Sequence, residues 1–149
     1  MWAANIEKGL FHPKNPKKYR GDPTNIVWRS SWEKRVMKYF DENRNVLEWQ
    51  SEEVVVPYRS PVDNKIHRYF PDFVAKVMTP GGQTKTLMIE VKPHSQTIPP
   101  VRRRGKRQST YITEVTTYAV NDAKWKAAEE FCLDRGWEFI KMTEKHIGR

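Results

Sequence analysis

The sequence predicts an α/β domain in which a mixed β-sheet is flanked by helices. Runs rich in β-branched and aromatic residues indicate strands, and runs with apolar residues at helical spacing indicate helices. Their order is helix, three strands, a mixed segment, helix and strand, which is typical of helices packed on a sheet. At 149 residues the chain fits one such domain with a hydrophobic core.

The composition indicates an acidic partner. Lys and Arg number 27 against 18 Asp and Glu, which gives a net charge of +9. Such a balance favours nucleic acid as the partner, with a ribosome-like or merely soluble basic protein as the alternative. No basic helix with a clean apolar face, which would suit a membrane surface, is evident.

Several classes of protein are excluded. No run approaches 18 consecutive apolar residues, so no membrane span is predicted. The start of the chain lacks the charged and apolar regions of a signal peptide, and a cytosolic chain is therefore expected. Cys132 is the single cysteine, which rules out an internal disulfide and a cysteine-based zinc site. It falls on the apolar face of a predicted helix and is expected in the core, not as a nucleophile.

We expect residues 1–25 to form an extended basic arm outside the core and residues 26–149 to form the domain. Three prolines within the arm disfavour helices and central strands. Lys17, Lys18 and Arg20 are interleaved with aromatic rings, which suits a segment laid on a phosphate backbone. A disordered or partner-docking tail fits the same composition equally well.

Residues 29–40 are predicted to form an amphipathic helix, because apolar residues recur there at helical spacing. Ser30 is the expected N-cap, and Glu33 stands three residues later, as in a capping box. Taken alone, Glu33 is better explained by that cap than by chemistry. Asn43 and the residues after it end the helix.

Three strands follow this helix. The first is predicted at 54–56 and is stopped by the proline after it, and the second at 68–77 is broken near its middle by Pro71. A hairpin turn at 80–82 leads into the third strand at 84–92.

A second basic tract, residues 93–109, comes directly after the third strand. Five of the six residues from 102 to 107 are basic, and such a run resists burial. A solvated mobile loop is one reading. Its position straight after Lys92 favours the other, a loop that contacts nucleic acid beside the active site.

The last part of the chain is predicted to be mainly helical. Residues 111–120 are ambiguous between strand and helix, and we favour helix. Asn121 or Asp122 is expected to cap a clear helix over 123–135. Gly136 is expected to end that helix before a final strand.

Two carboxylates and a lysine stand at the ends of apolar runs. Glu90 and Lys92 share one face of the predicted strand, because side chains alternate along a strand. Charge in such a place is costly unless it is used or paired. Asp72 lies 18 positions before Glu90 (90 − 72), enough chain for a hairpin to bring the carboxylates together. The pattern predicts a metal-dependent site for phosphodiester cleavage.

Phosphodiester hydrolysis needs a nucleophilic water, neutralisation of phosphate charge and help for the leaving oxygen, and Mg²⁺ ions can supply all three. Asp72 and Glu90 are enough to anchor Mg²⁺, with the carbonyl of Val91 as a further ligand. Lys92 would orient the attacking water or stabilise developing negative charge. Glu33, arriving from the helix, would hold a second metal ion or a metal-bound water.

This arrangement resembles the PD-(D/E)xK nuclease superfamily, with Asp72 after its proline and Glu90-Val91-Lys92 as the motif. The resemblance implies a restriction-endonuclease-like core, a mixed sheet flanked by helices. It also implies Asp72 and Glu90 as metal ligands and Lys92 as the catalytic lysine. Glu33 would be the acidic residue from the first core helix.

A closer resemblance, to the head completion nuclease family of contractile-tailed bacteriophages, extends over most of the chain. It implies a Mg²⁺-dependent DNA endonuclease, with Mn²⁺ able to substitute, that acts in head completion and maturation after DNA packaging. It also implies DNA and phage head or neck proteins as partners. The protein would then act in the virion or the host cytoplasm and would not be secreted. The matching segments, in order, are 18–23, 29–34, 68–70, 90–93, 99–101 and 118–128.

Two alternatives stay open at this point. One is a non-catalytic virion head or neck structural protein that binds DNA with a nuclease-like fold, and the other is a basic RNA- or DNA-binding module. A pure binder has no reason to direct one lysine and three carboxylates, Glu33, Asp72, Glu90 and Lys92, into a single cleft. The residues expected to contact nucleic acid are Lys17, Lys18, Arg20, Arg29, Arg102, Arg103, Arg104, Lys106 and Arg107.

Overall fold

The computed structural model describes residues 8–147 and contains eight strands and three α-helices in that range. The helices are α1 (Ser31–Glu42), α2 (Gln108–Arg135) and the short α3 (Glu144–Ile147). The strands are β1 (Gly9–Phe11), β2 (Ile26–Trp28), β3 (Val46–Ser51), β4 (Val56–Arg59), β5 (Ile66–Tyr69), β6 (Phe73–Met78), β7 (Thr84–Val91) and β8 (Glu138–Met142).

A four-stranded mixed sheet forms the centre, in the order β3-β6-β7-β8. The first three strands are antiparallel neighbours, and β8 runs parallel to β7. Two antiparallel ribbons, β1-β2 and β4-β5, accompany the sheet. The predicted mixed α/β sheet with flanking helices is therefore confirmed.

The central sheet separates two hydrophobic clusters. Ile89 and Val91 of β7 pack with α1 residues in one cluster, whereas Met88 packs with α2 residues in the other. This alternation along β7 is the one that the sequence predicts, because successive side chains of a strand point to opposite faces. It places Glu90 on the face of Met88, towards α2 and the β4-β5 ribbon.

Helix α1 begins and ends as predicted. The Ser30 hydroxyl oxygen accepts a hydrogen bond from the Glu33 backbone N–H at 3.1 Å, which satisfies one of the free N–H groups of the first turn. The Asn43 N–H bonds the Tyr39 carbonyl at the other end. The Ser30 hydroxyl also donates to the Glu33 carboxylate at 3.3 Å, so this cap holds the Glu33 side chain at the first turn.

The strand predictions need three corrections. Strands β1, β2 and β3 are absent from the sequence prediction. The strand expected at 54–56 is instead β4, and Pro57 lies within it. A two-stranded ribbon tolerates proline because a strand edge needs no further ladder bond.

The predicted strand at 68–77 is two strands in different sheets, β5 and β6. The chain crosses between them at Phe70, Pro71 and Asp72. A proline cannot donate a ladder bond, so the interruption allows the chain to leave one sheet and enter another.

The C-terminal helix is longer than predicted. The ambiguous segment is helical, and it continues without a break as α2. The expected cap at Asn121 or Asp122 is wrong, since both residues lie inside the helix and Asn121 is buried. Gly136 ends α2 with φ of 71°, the left-handed conformation that glycine adopts without strain. No helix within residues 8–147 is long and apolar enough to cross a membrane.

The N-terminal segment packs on the domain more closely than an arm would. Phe11 and Tyr19 belong to the core cluster on the α1 side, and β1 pairs with β2. The buried Asp41 carboxylate accepts hydrogen bonds from the Lys14 and Asn15 N–H groups at 2.8 and 2.9 Å. Residues 8–25 thus differ from the expectation, and residues 1–7 of the predicted arm lie outside the described residues.

Candidate active site

Asp72 lies at the entrance to β6, opposite the end of β7. The last pair in the register joins Phe73 to Ile89, so Asp72 and Glu90 are the next positions on the two strands. The Asp72 carboxylate accepts a hydrogen bond from the Val91 N–H at 2.7 Å. The predicted hairpin therefore brings the two carboxylates to the same end of the sheet.

Glu90 is buried and held from two sides. The Tyr69 hydroxyl donates a hydrogen bond of 2.8 Å to Glu90 Oε1, and Lys92 Nζ lies 3.9 Å from Glu90 Oε2. Only 9% of the Glu90 side chain and 25% of the Lys92 side chain are exposed. Such burial keeps both charges in a medium where their interaction is stronger than in water.

Glu33 reaches the same region from the first turn of α1. Burial raises the pKa of Glu33 above its ordinary value, against the hydrogen bond from the Arg29 backbone, and the charge of Glu52 adds to the rise. Glu52 pairs with Arg29 at 2.5 Å, and its N–H bonds the Asp72 carbonyl at 3.1 Å.

Three of the predicted residues act on the charge of Asp72. Burial raises its pKa well above the ordinary value, and the like charges of Glu90 and Glu33 raise it further. The Val91 N–H and the charge of Lys92 act in the opposite direction. A carboxylate whose pKa is shifted by two other carboxylates and a lysine is a common mark of a functional site.

The donor set at this site fits a hard divalent cation. Asp72 and Glu90 offer carboxylate oxygens, and their mutual repulsion is the kind that a bound cation relieves. No group of three or more His, Cys, Asp or Glu side chains within residues 8–147 is placed to hold a metal ion. The site is thus built on a carboxylate pair, and the ligand roles of Glu33 and the Val91 carbonyl stay predictions.

The basic residues predicted in the N-terminal part mostly have protein partners. Lys18 Nζ donates to the carbonyls of Asp41 and Asn43 at 3.0 and 2.8 Å, where a cation also suits the C-terminus of α1. Arg20 pairs with Glu48, and Arg29 with Glu52 as noted. Lys17 is exposed.

Some basic residues of the loop make hydrogen bonds that stabilise its conformation, and others are free to face solvent. Arg102 donates to the Lys106 carbonyl at 2.7 Å, and Lys106 Nζ bonds the Val101 carbonyl and Glu114. Arg103, Arg104 and Arg107 are also exposed. The exposed three are therefore the better placed for phosphates.

Two functional candidates escaped the sequence reasoning. Tyr69 is one of several aromatic residues in the predicted strands, and only its contact with Glu90 distinguishes it. Lys124 of α2 lies over the rings of Tyr58 and Tyr69, 5.8 and 5.7 Å from their centroids. It therefore adds positive charge close to Glu90. The sole sequence signal was the place of Tyr69 three residues before Asp72.

Cys132 is in the core, as predicted. It is buried on α2, and burial raises the pKa of its thiol to about 11. At physiological pH the thiol is neutral, which makes it a poor nucleophile.

Comparisons with known proteins show the family of the chain. A model of the family described as TnsA-like endonuclease N terminal matches residues 43–144, a range that includes Asp72, Glu90 and Lys92 but not Glu33. The head completion nuclease of Enterobacteria phage T4 is 39% identical over 139 residues, which cover 91% of this chain and 90% of that protein. No solved structure matches the chain.

Proposed function

The chain belongs to the TnsA-like endonuclease family and to the family of the phage T4 head completion nuclease, and from this we propose that it is a Mg²⁺-dependent DNA endonuclease. The endonuclease function in phage head completion follows from the family. The dependence on Mg²⁺, with Mn²⁺ as a substitute, and the roles of the site residues are our proposal.

The observation that carries the proposal is the Asp72–Glu90 pair with Lys92 beside it. A lysine 3.9 Å from a buried glutamate and a second carboxylate with a strongly raised pKa form a cluster that no packing requirement explains. Glu33 also acts at this end of the sheet, because its charge adds to the rise in the pKa of Asp72.

Each residue has a distinct task in cleavage. Asp72 and Glu90 would hold Mg²⁺, which, when bound, supplies Lewis acidity for phosphodiester hydrolysis. Tyr69 fixes the Glu90 carboxylate through its donated hydrogen bond. The Lys92 ammonium stabilises negative charge that develops on the phosphate, or orients the attacking water by hydrogen bonding. Glu33 would accept a hydrogen bond from that water.

The metal dependence has a direct test. Purified protein should nick or cut plasmid DNA in Mg²⁺ or Mn²⁺ and should not do so in EDTA, because the carboxylates alone provide no Lewis acid. Restoring Mg²⁺ in excess after EDTA should restore cutting, which controls for damage to the protein. Equal cutting in EDTA would contradict the proposal.

Tyr69→Phe tests the support of Glu90. The ring remains, but the hydrogen bond to the Glu90 carboxylate is lost, and we expect cleavage or apparent Mg²⁺ affinity to fall by roughly 10–100-fold, the usual effect of losing an outer-shell partner. Tyr58→Phe is the matched control, since Tyr58 is also buried and lies on the neighbouring strand of the same ribbon. Equal effects in both variants would assign Tyr69 to packing only.

The basic loop is expected to bind DNA phosphates. Replacing Arg103, Arg104 and Arg107 with Gln should lower the slope of log K against log salt by up to about 2.7, at roughly 0.9 per phosphate contact on duplex DNA. Replacing Arg20 and Arg29, which pair with glutamates, should change the slope little. An unchanged slope in the loop variant would show that the loop serves something else.

The proposal also covers place and partners. The relative's name ties it to head completion, and we infer that this chain meets phage head or neck proteins in the virion or in the host cytoplasm. The net charge of +9 supports DNA as the other partner. A non-catalytic neck protein is the weaker candidate, because it gives no reason for the buried charges of the site.

A further inference from the structure

A cavity of about 550 Å³ lies between the loop after β7 and the first half of α2. Its volume falls within the roughly 300–1,000 Å³ range of small-molecule sites. The loop side contributes Ile98 and Val101, among others, and the helix side contributes Thr117, Tyr118 and Asn121. None of the residues assigned to the cutting site lines it, so the cavity is a separate feature.

Asn121 gives the cavity a polar side chain that is open to a ligand. The residue is only 8% exposed, it lines the cavity, and its amide has no hydrogen bond to another residue in the described part of the chain. The amide atoms are not sealed from solvent, since the fully buried unpaired side-chain atoms in that part of the chain are the Nε1 atoms of Trp49 and Trp125. An amide offers donors and an acceptor side by side, the combination that pairs with the edge of a nucleobase.

The rest of the lining suits the face of a base. Tyr118 is partly exposed and provides an aromatic ring, and bases stack on such rings independently of their sequence. Ile98 and Val101 are 46% and 55% exposed and form an apolar wall opposite. Apolar side chains left open to water in this way are expected where a ligand covers them.

The charges around the cavity favour a phosphate-bearing ligand. Arg103 and Lys106 line it, and Glu114 is the acidic residue of the lining. Glu114 pairs with Lys106 at 2.6 Å, so its charge is compensated and Arg103 remains. The exposed Arg104 and Arg107 lie in the same loop, and together they offer a positive rim to a nucleic-acid backbone.

The cavity lies beside the cutting site along both chain segments that form it. On the loop side, Ser95 is three residues beyond Lys92. On the helix side, Asn121 is three residues before Lys124, about 4.5 Å along the axis at 1.5 Å per residue. Lys124 in turn lies over Tyr69, which holds Glu90. Both chain segments therefore connect the cavity to the cutting site.

We propose that this cavity binds the base of an unpaired nucleotide next to the phosphate that is cut. The preferred substrate would then be DNA that is single-stranded or frayed at the cutting site, because a base within a duplex is stacked and must unstack before it can enter the cavity. The inference rests on the proposed nuclease function for the position of the cut, but base binding itself needs no cutting.

The test compares two neighbouring threonines of α2. Thr117 lines the cavity and Thr116 does not, and both are exposed on the helix surface. Thr117→Trp should fill the cavity, whereas Thr116→Trp should leave it open. Binding is measured in EDTA by fluorescence anisotropy, with a labelled oligothymidylate of about 12 nucleotides and a blunt duplex of the same length.

Thr117→Trp should weaken binding of the single strand by about tenfold or more, the scale of one stacked base, and leave the duplex affinity unchanged. Thr116→Trp should change neither affinity. Asn121→Ala should also weaken binding of the single strand selectively. This variant carries the test if circular dichroism shows that the tryptophan variant does not fold.

Two outcomes overturn the inference: an unchanged affinity for the single strand, or an equal loss for single strand and duplex. Cutting is scored separately in Mg²⁺. A protein that never cuts but shows the selective loss contradicts the nuclease proposal and keeps the base site. A protein that cuts but shows no selective loss supports the nuclease proposal and contradicts the base site.

Discussion

Asp72→Asn is expected to lower DNA cleavage by at least about 100-fold. The change keeps the shape of the side chain and its place beside the Val91 N–H, but removes a charged metal ligand from a pair. The loss should exceed the roughly 10–100-fold typical of outer-shell partners. The measurement is the initial rate of plasmid nicking in Mg²⁺ under single-turnover conditions.

The matched control is Asp134→Asn, which neutralises an exposed aspartate of α2 far along the helix from the site. It should cut at the normal rate and should exclude a general effect of net charge. Equal cutting by Asp72→Asn would reject the assigned site.

The same variant has an expected effect on stability, which shows that lost activity is not lost folding. Burial and the charges of Glu90 and Glu33 raise the pKa of Asp72, so the folded protein holds this proton more tightly than the unfolded chain. The free energy of unfolding of the metal-free protein therefore falls as pH rises from the ordinary aspartate pKa through the raised one. Asn at position 72 carries no charge, and its Tm at neutral pH in EDTA should be higher. A lower Tm would contradict this account of the site's electrostatics.

Lys92→Ala is expected to slow cleavage on the order of a hundredfold while DNA affinity stays nearly intact. The ammonium lies beside Glu90 in a partly buried position, where it acts on charge that develops during the reaction, and losing one such stabiliser costs about this much. Affinity and single-turnover rate should be measured on the same DNA, with affinity in Ca²⁺ or EDTA.

Lys85→Ala serves as the control for Lys92→Ala. Lys85 lies near the other end of the same strand and pairs with Glu138 at 2.9 Å on the surface. It should leave cleavage unchanged. If Lys92→Ala loses binding in proportion to cleavage, Lys92 is a docking residue and not a catalytic one.

Most of the site could be predicted because its signals are local. Alternation along β7 places Glu90 and Lys92 on one face whatever surrounds them, and the turn at 80–82 brings Asp72 back along the neighbouring strand. The Ser30 cap and the Gly136 stop are also local, since each depends on a few adjacent backbone groups. These features could therefore be predicted without a structure.

The sequence predictions were wrong where local signals compete or where no local signal exists. The proline at 71 predicts a break within one strand, but in the structure it marks a transfer between two sheets. Asn121 looked like a cap because asparagine favours that position, but the packing of α2 on the sheet and the loop keeps the helix continuous through it. Phe11 and Tyr19 lie among prolines and lysines, and nothing near them in sequence predicts the core that receives them.

The sequence by itself determined the motif, the charge of the protein, the facing of the β7 residues, both ends of α1 and the C-terminal end of α2. Only the tertiary structure decided that Glu33 acts on Asp72, that Tyr69 donates to Glu90 and that Asn121 faces a cavity beside the site. The physical reason is separation along the chain. Tyr69 and Glu90 are 21 residues apart, and such contacts depend on how sheets and helices pack, which no local preference encodes.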